Sequence, residues 1–277
     1  MAGFKDRIGI DLGRRLAIEE GIAWAAANGV VYCDVEADIA PNAIESFDDR
    51  RCATIAEACQ RHGLHLGLHT LSAVNIAEIS PFVREAADQY LRAYIDLATR
   101  LKAEWVVVHG GYHFTSDRAL RRQASMARLR RAVDYAEQRR VLLLLENLNA
   151  EPERAEVHYL ADTLAETNAY FDAIRSPQFK WAFTINHAHY DPLGIAGFIA
   201  GMDMRRCAEV RLADNNGLYE LHMPPGTGTV DFVDMFRRVE AAGFTGHYMC
   251  GWGSLEDMLS GRDYLLDCAA KAGIAVR

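Results

Sequence analysis

Four apolar runs in the middle of the chain each end in a residue that can bind a metal ion or move a proton. The last residues of these runs are His69, His109, Glu146 and His187, at intervals of 40, 37 and 41 residues. This interval matches one strand, one helix and two loops. Continuous apolar runs, such as the four leucines before Glu146, are typical of strands covered by helices on both faces. In a barrel of parallel strands the strand carboxyl ends meet at one mouth, so the spacing predicts a cluster of functional side chains there.

The same alternation of strand and helix signals extends along the whole chain and counts eight units. We therefore predict that residues 1–277 form a single α/β domain, a (β/α)8 TIM barrel. An open doubly wound sheet is the alternative, but it rarely needs eight units. Three predicted boundaries lie near the mouth. The sixth strand is expected to stay extended to His187, the fifth helix to span residues 157–174, and the sixth helix to span residues 191–200.

Composition and charge narrow the function classes. The chain has a net charge of −8 and a pI of about 5.7, which disfavours binding to DNA or RNA phosphates. No stretch approaches the ~18 apolar residues of a membrane span, and the amino terminus lacks a secretory signal pattern. The six cysteines form no CxxC pair, as expected for reduced thiols. We expect a cytoplasmic protein with neither nucleic-acid nor membrane partners, and a homo-oligomer is compatible with the sequence.

His69, His109 and Glu146 come from successive units and form the first candidate metal site. Two imidazoles and one carboxylate, with a fourth position open, are the ligand set of many catalytic zinc sites. A single histidine at a strand end is more often a core or loop residue, but three ligand-type residues in successive units favour a site. Zinc suits this histidine-rich set, while manganese stays open because oxygen-rich side chains surround the mouth.

A second candidate group joins His187 to Glu220 and His222. Residues two apart in an extended segment point the same way, so Glu220 and His222 can hold one ion together. His189 is expected to share a face with His187 and to contact an ion or a substrate. The alternative is that Glu220 and His222 belong to an ordinary solvated loop.

Several motifs resemble those of the xylose-isomerase-like barrel superfamily, which includes sugar isomerases, epimerases and the endonuclease IV family. The resemblance covers nearly the whole chain and is most specific in the stretches LLLENLN, NHAH and RLADNNGLYELHMPPGTGTVDF. It implies a divalent metal at the carboxyl-terminal mouth of the barrel. The matching metal positions in this sequence are His69, His109, Glu146, His187, Glu220 and His222.

The chain departs from the relatives that epimerise sugars at their central metal site. Those relatives usually hold one metal through Glu, Asp, His and Glu, and the matching residues here are Glu146, Thr184, Arg211 and Gly251. Arginine cannot act as a ligand because it stays protonated. We therefore expect any tightly held ion to lie with His69, His109 and Glu146. A second, weaker ion could lie with His187, Glu220 and His222. The alternative is a metal-free site in which Arg211 fills the cavity and pairs with Glu146.

These residues together predict a sugar or polyol isomerase or epimerase that acts on a small sugar-like substrate with help from zinc or manganese. Glu146, His187 and Arg211 are the candidate catalytic residues. Candidate substrate contacts are Glu36, Asn147, Asn149, His189, Asp214, Asn215 and Trp252. A zinc-dependent hydrolase of phosphodiesters or other small substrates and a non-catalytic barrel that binds a small ligand are the alternatives.

Overall fold

The computed structural model describes residues 3–276, which form ten strands and nine α-helices. The strands are β1 (Ile8–Gly13), β2 (Tyr32–Val35), β3 (His65–His69), β4 (Trp105–Val108), β5 (Tyr112–Phe114), β6 (Leu142–Glu146), β7 (Val157–Tyr159), β8 (Phe179–Thr184), β9 (Cys207–Leu212) and β10 (His247–Cys250). The helices are α1 (Ile18–Ala27), α2 (Asp49–His62), α3 (Pro81–Leu101), α4 (Arg118–Glu137), α5 (Leu164–Ala173), α6 (Ile185–His189), α7 (Gly194–Gly201), α8 (Phe232–Ala241) and α9 (Leu255–Lys271).

Eight of the strands close into a parallel barrel in the order β1-β10-β9-β8-β6-β4-β3-β2. Each barrel strand pairs in parallel with both neighbours. The predicted (β/α)8 fold is therefore confirmed. The apolar runs explain it, because strands such as β4 are buried along their whole length between the barrel interior and the helices. Since all eight strands run the same way, their carboxyl ends meet at one mouth.

The helices end and begin where the local sequence signals lie. Gly63 follows α2 in the left-handed conformation, with φ at 62°, which glycine adopts at low cost. Ser254 and Asp257 form the predicted capping box at the start of α9. All six cysteines are buried and unpaired. No helix in residues 3–276 combines the length and the apolar character needed to cross a membrane.

The predicted fifth helix over residues 157–174 is wrong in its first half. Residues 157–159 form β7, which pairs antiparallel with β5 in a small two-stranded sheet beside the mouth. Valine and tyrosine favour strands, and the pairing with β5 is a long-range contact. The helix α5 begins only after Thr163, whose side chain accepts a hydrogen bond from the Glu166 amide as an N-cap.

The sixth strand is also shorter than predicted. It ends at Thr184, and residues 185–189 turn into the short helix α6 instead of staying extended. Residues two apart on a helix point in different directions, so His187 and His189 do not share a face. The next helix begins at Gly194, later than the predicted residue 191. The intervening residues form a turn, in which the Asp191 carboxylate accepts a hydrogen bond from the Leu193 amide and the Asp191 carbonyl accepts one from the Gly194 amide.

Candidate active site

A cavity of about 390 Å³ opens at the carboxyl ends of the barrel strands. This volume lies within the usual range for small-molecule sites. The lining brings together all six candidate metal ligands, which are His69, His109, Glu146, His187, Glu220 and His222. Arg211 also lines the cavity, as do the predicted substrate contacts Glu36 and Asn149.

His69, His109 and Glu146 converge on one point in the cavity wall. The Nε2 atoms of the two histidines are 3.2 Å apart, and they lie 3.3 and 3.0 Å from Glu146 Oε2. In a tetrahedral zinc site with bonds of about 2.1 Å the donor atoms lie about 3.4 Å apart. The three atoms therefore have nearly the spacing that a zinc ion requires, and their chemistry fits a divalent metal.

Second partners orient two members of this group. The Thr70 hydroxyl donates to the Val107 carbonyl, so at 3.2 Å it accepts a hydrogen bond from His109 Nδ1. His109 Nε2 then directs its lone pair towards the centre, as in histidines that bind metals. The Thr184 hydroxyl donates to Glu146 Oε1 at 2.5 Å and fixes the carboxylate. The buried His69 Nδ1 has no hydrogen-bond partner among the described residues.

The electrostatics keep Glu146 ionised. Burial alone would raise the pKa of Glu146, but hydrogen bonds and charges from His109 and His69 outweigh it and hold the pKa well below its ordinary value. Burial lowers the pKa of His109. Burial and the Arg211 charge also act to lower the pKa of His69, yet Glu146 more than offsets them and raises it. The ionised Glu146 carboxylate and the His109 imidazole, whose lowered pKa favours its neutral form, have the protonation states that a metal site needs.

His187, Glu220 and His222 form the second group, as predicted from the sequence. Glu220 Oε1 lies 3.3 Å from His187 Nε2 and 2.9 Å from His222 Nε2. The Nδ1 atoms donate to the carbonyls of Asn147 and Gly251, at 2.8 and 2.7 Å. In the neutral imidazoles both Nε2 lone pairs would face the same carboxylate oxygen, so the arrangement calls for a shared proton or a cation.

The pKa values of Glu220 and His222 also indicate that a shared proton or a cation lies between these residues. Burial would raise the pKa of Glu220, but hydrogen bonds from His187 and His222 lower it to about 2. The pKa of His222 is raised, because the bond and charge from Glu220 outweigh burial. This group is more open than the first, since His222 is exposed over almost half of its side chain. It would hold an ion less tightly than the buried first group.

Arg211 does not pair with Glu146. Its guanidinium donates to Asp34 at 2.5 Å, to Glu209 at 2.6 Å and to Asp11 at 2.7 Å. Burial, and next the charge of Glu209, raise the pKa of Asp34 to about 6. Glu209 stays ionised because Arg211 and a hydrogen bond from His247 outweigh burial and lower its pKa. The alternative of an Arg211–Glu146 pair is wrong, because these three carboxylates take the guanidinium instead.

Sequence reasoning missed Asp34 and Glu209, although a signal was present. Glu209 and Arg211 are two apart on β9, so they point to the same side of the strand. A carboxylate and a guanidinium inside a strand that is otherwise apolar indicate an ion pair in the barrel interior. The partner Asp34, on β2, is 177 residues away in the chain, and its assignment needed the closed barrel.

Of the four positions that the resemblance to sugar epimerases matched to a central metal site, only Glu146 carries a residue that can bind a metal. A Cβ atom at Gly251 would point to within 4.0 Å of Arg211 Nη2 and 3.9 Å of Asp11 Oδ2. The guanidinium therefore lies next to the space that a longer side chain at position 251 would enter. Thr184, at the third altered position, is bonded to Glu146 instead. At the three altered positions Thr184 and Arg211 therefore hydrogen-bond to carboxylates, and Gly251 leaves the space beside the guanidinium open.

Three of the predicted substrate contacts are engaged inside the protein and do not line the cavity. The Asn147 side chain donates a hydrogen bond to the Thr184 carbonyl and accepts one from the Thr184 amide. The Asp214 carboxylate accepts bonds from the loop amides of residues 215, 226, 228 and 230. Asn215 bonds the same loop through Tyr219 and Gly217. Asp214 and Asn215 therefore shape the loop that carries Glu220 and His222, whereas Asn147 holds the end of β8.

His189 and Trp252 also lie outside the cavity lining. His189 Nε2 bonds the Thr229 hydroxyl at 2.8 Å, on the far side of α6 from the cavity residue His187. Burial lowers the pKa of His189. Trp252 is fully buried and packs against Gly261 of α9. The lining also includes polar residues that sequence reasoning did not select, which are Asp11, Thr70, Ser72, Glu151 and Tyr159.

Comparison with known proteins defines the family. The family model for the xylose isomerase-like TIM barrel matches residues 22–268, so the chain belongs to this family. This membership confirms the resemblance that the motifs indicated. No curated protein matches the chain in sequence.

Solved structures with the same fold include several sugar epimerases. A D-tagatose 3-epimerase-like protein superposes with a TM-score of 0.82 at 19% identity, covering 96% of this chain and 98% of that one. The D-psicose 3-epimerase of Clostridium cellulolyticum H10 gives 0.79 at 15% identity, with the same coverage. The 3-keto-D-glucoside 4-epimerase of E. coli gives 0.75 at 15% identity, covering 95% of this chain and 99% of that one. At these identities the likeness shows the shared fold.

Proposed function

We propose that this protein is an isomerase or epimerase of a small sugar-like substrate, assisted by a divalent metal at the barrel mouth. The observation that carries the proposal is the pair of carboxylates Glu36 and Glu146 in one cavity. Glu36 follows β2 and Glu146 ends β6, three places apart in the ring of eight strands, so they approach the cavity from different sides. Solved sugar epimerases with the same fold support the reaction class.

Epimerisation needs a group that removes a proton from a carbon next to a carbonyl and a group that returns one on the other face. Glu36 suits this exchange because no hydrogen bond from the described residues engages its side chain. Burial, and next the charge of Asp11, raise the pKa of Glu36 and bring that pKa closer to neutral pH, which suits a group that exchanges protons. Glu146, across the cavity, is the second proton-transfer group.

The metal belongs with the first group of ligands. His69, His109 and Glu146 would hold it, and the ion would supply Lewis-acid polarisation of a carbonyl or hydroxyl oxygen. Zinc fits the ligand set and spacing, and manganese is the second choice for reconstitution. His187, with Glu220, contacts the substrate or a second, weaker ion. Arg211 holds the Asp11 carboxylate in the cavity wall.

Product analysis tests this proposal. The protein, loaded with zinc or manganese, is incubated with a panel of ketopentoses and ketohexoses, and the epimers are separated by chromatography. Glu146→Gln is expected to lower turnover at least about 100-fold, since it alters both a metal ligand and a proton-transfer group. Glu104→Gln is the matched control at the opposite end of the barrel. Unchanged turnover in Glu146→Gln would remove Glu146 from the mechanism.

A second candidate function is metal-dependent hydrolysis of phosphodiesters. The observation in its favour is the second His–Glu–His group, since two ions in one cavity can flank a scissile phosphodiester. Cleavage of bis(4-nitrophenyl) phosphate by the zinc-loaded protein tests it. Hydrolysis that is lost in both His109→Ala and His222→Ala, without turnover of any sugar, would replace the first proposal with this one.

A further inference from the structure

Carboxylates dominate the charge of the cavity. Five of them line it, and these are Asp11, Glu36, Glu146, Glu151 and Glu220. Within residues 3–276, Arg211 is the sole arginine in the lining, and no lysine belongs to it. A substrate that carries a negative charge would need a partner of opposite charge here, because an unpaired charge is costly to remove from water.

Arg211 does not offer that partner. Its guanidinium already contacts three carboxylates, and two of these, Asp34 and Glu209, are fully buried beneath the cavity. Even if Asp34 takes a proton, the two remaining carboxylates exceed the single positive charge. A phosphate in the cavity would therefore meet a cluster with no excess positive charge.

Bound metal ions do not reverse this balance. Two divalent ions would bring four positive charges and Arg211 brings one, against the five carboxylates of the lining and the buried Asp34 and Glu209 beneath it. The ions would lie with the two histidine groups, beside the reacting part of the substrate. A phosphate at the far end of a sugar would lie away from them, among the remaining carboxylates.

The arginines at the rim lie outside the cavity lining. Arg15 donates to the carbonyl oxygens of Asp11 and Gly253, at 3.3 and 2.9 Å. Arg14 is exposed to solvent, and its charge acts on Glu36. An exposed charge of this kind is screened by solvent and attracts a substrate only weakly.

Glu151 provides the matching contact for an uncharged substrate. Its Oε1 accepts a hydrogen bond from Asn149 Nδ2 at 2.7 Å. The other carboxylate oxygen makes no hydrogen bond to the described residues. A carboxylate oxygen accepts hydrogen bonds from sugar hydroxyls strongly, because such bonds are charge-assisted. Tyr159, on the small sheet beside the mouth, lines the same cavity.

We propose that the site selects an uncharged polyhydroxy substrate, a free sugar, and rejects the same sugar bearing a phosphate, with Glu151 as a specificity-determining residue. This inference rests on the proposed isomerase or epimerase function and adds the chemical class of its substrate.

The test compares free and phosphorylated forms of one sugar. We expect kcat/KM for D-fructose to exceed that for D-fructose 6-phosphate at least about 100-fold, and the same for D-ribulose against D-ribulose 5-phosphate. Glu151→Lys should lower this ratio of kcat/KM values at least about tenfold, because it replaces a charge that repels the phosphate with one that attracts it. Glu153→Lys, two residues away and exposed outside the cavity, is the matched control and should leave the ratio unchanged.

The outcomes separate this inference from the proposed function. Turnover of the phosphorylated sugar within threefold of the free sugar, or better, overturns the inference and leaves the function standing. Turnover of none of the sugars overturns the proposed function, and the inference with it. If the ratio of kcat/KM for the free sugar to that for the phosphorylated sugar is equal in Glu151→Lys and Glu153→Lys, Glu151 does not determine the selectivity. If thermal melting shows that Glu151→Lys does not fold, Glu151→Gln is used, and it should narrow the ratio in the same direction by a smaller factor.

Discussion

Replacing Arg211 with methionine tests the buried charge cluster beneath the cavity. Methionine keeps the length of the side chain but removes the cation that Asp11, Asp34 and Glu209 contact at 2.5–2.7 Å. Removing one partner of a buried ion pair typically costs about 3–5 kcal/mol, because the remaining charge is left unpaired. That loss is a large part of a total stability of about 5–15 kcal/mol. For a chain of this size it corresponds to a fall in Tm on the order of 10 °C.

Urea unfolding at two pH values gives the decisive comparison. At pH 7.5 Arg211→Met should show the full loss in unfolding free energy. At pH 5 the loss should be smaller, because Asp34, with a pKa of about 6, is then largely protonated and no longer needs the cation. Arg205→Met, at an exposed ion pair with Asp203, should leave the midpoint unchanged. A loss below about 1 kcal/mol for Arg211→Met, or one that does not shrink at pH 5, would refute this reasoning.

Three further predictions follow from the site and the charge distribution. His109→Ala should lower zinc affinity at least about tenfold by removing a buried ligand, which metal analysis after dialysis measures; an unchanged metal content would contradict it. The native pKa of Asp34 lies above its unfolded value, so its contribution to stability is present below about pH 4 and lost as the pH rises through about 6. Asp34→Asn should flatten the fall in unfolding free energy over that pH range, and an unaltered slope would count against the raised pKa. Duplex DNA should not bind at moderate ionic strength, and micromolar affinity that falls steeply with salt would show otherwise.

The barrel and the first histidine group could be predicted from the sequence because both depend on local periodicity. A buried strand is visible as a continuous apolar run, and the residue that ends it must lie at the mouth. This reasoning placed His69, His109 and Glu146 together, and their Nε2 and Oε2 atoms lie within 3.0–3.3 Å of one another. The pairing of Glu220 with His222 was likewise predicted from their spacing.

The parts that sequence reasoning missed depend on contacts between distant segments. Residues 157–159 form a strand only because residues 112–114 lie beside them. The partners of Arg211 come from β1, β2 and β9, and only the closed barrel brings these strands to one side chain. The sequence alone therefore left open whether Arg211 pairs with Glu146. Its actual partners decide the charge of the cavity.

Solvent hydrogen exchange tests the central claim, proton transfer on a sugar carbon in this cavity, most directly. The metal-loaded protein is incubated with each ketose in D2O, and deuterium incorporation is followed by NMR. We expect deuterium at a carbon next to the carbonyl of at least one ketose, with exchange lost in Glu146→Gln and reduced in Glu36→Gln. Folded, metal-loaded protein that incorporates no deuterium into any ketose, or equal exchange in Glu146→Gln and the unchanged protein, would contradict this account.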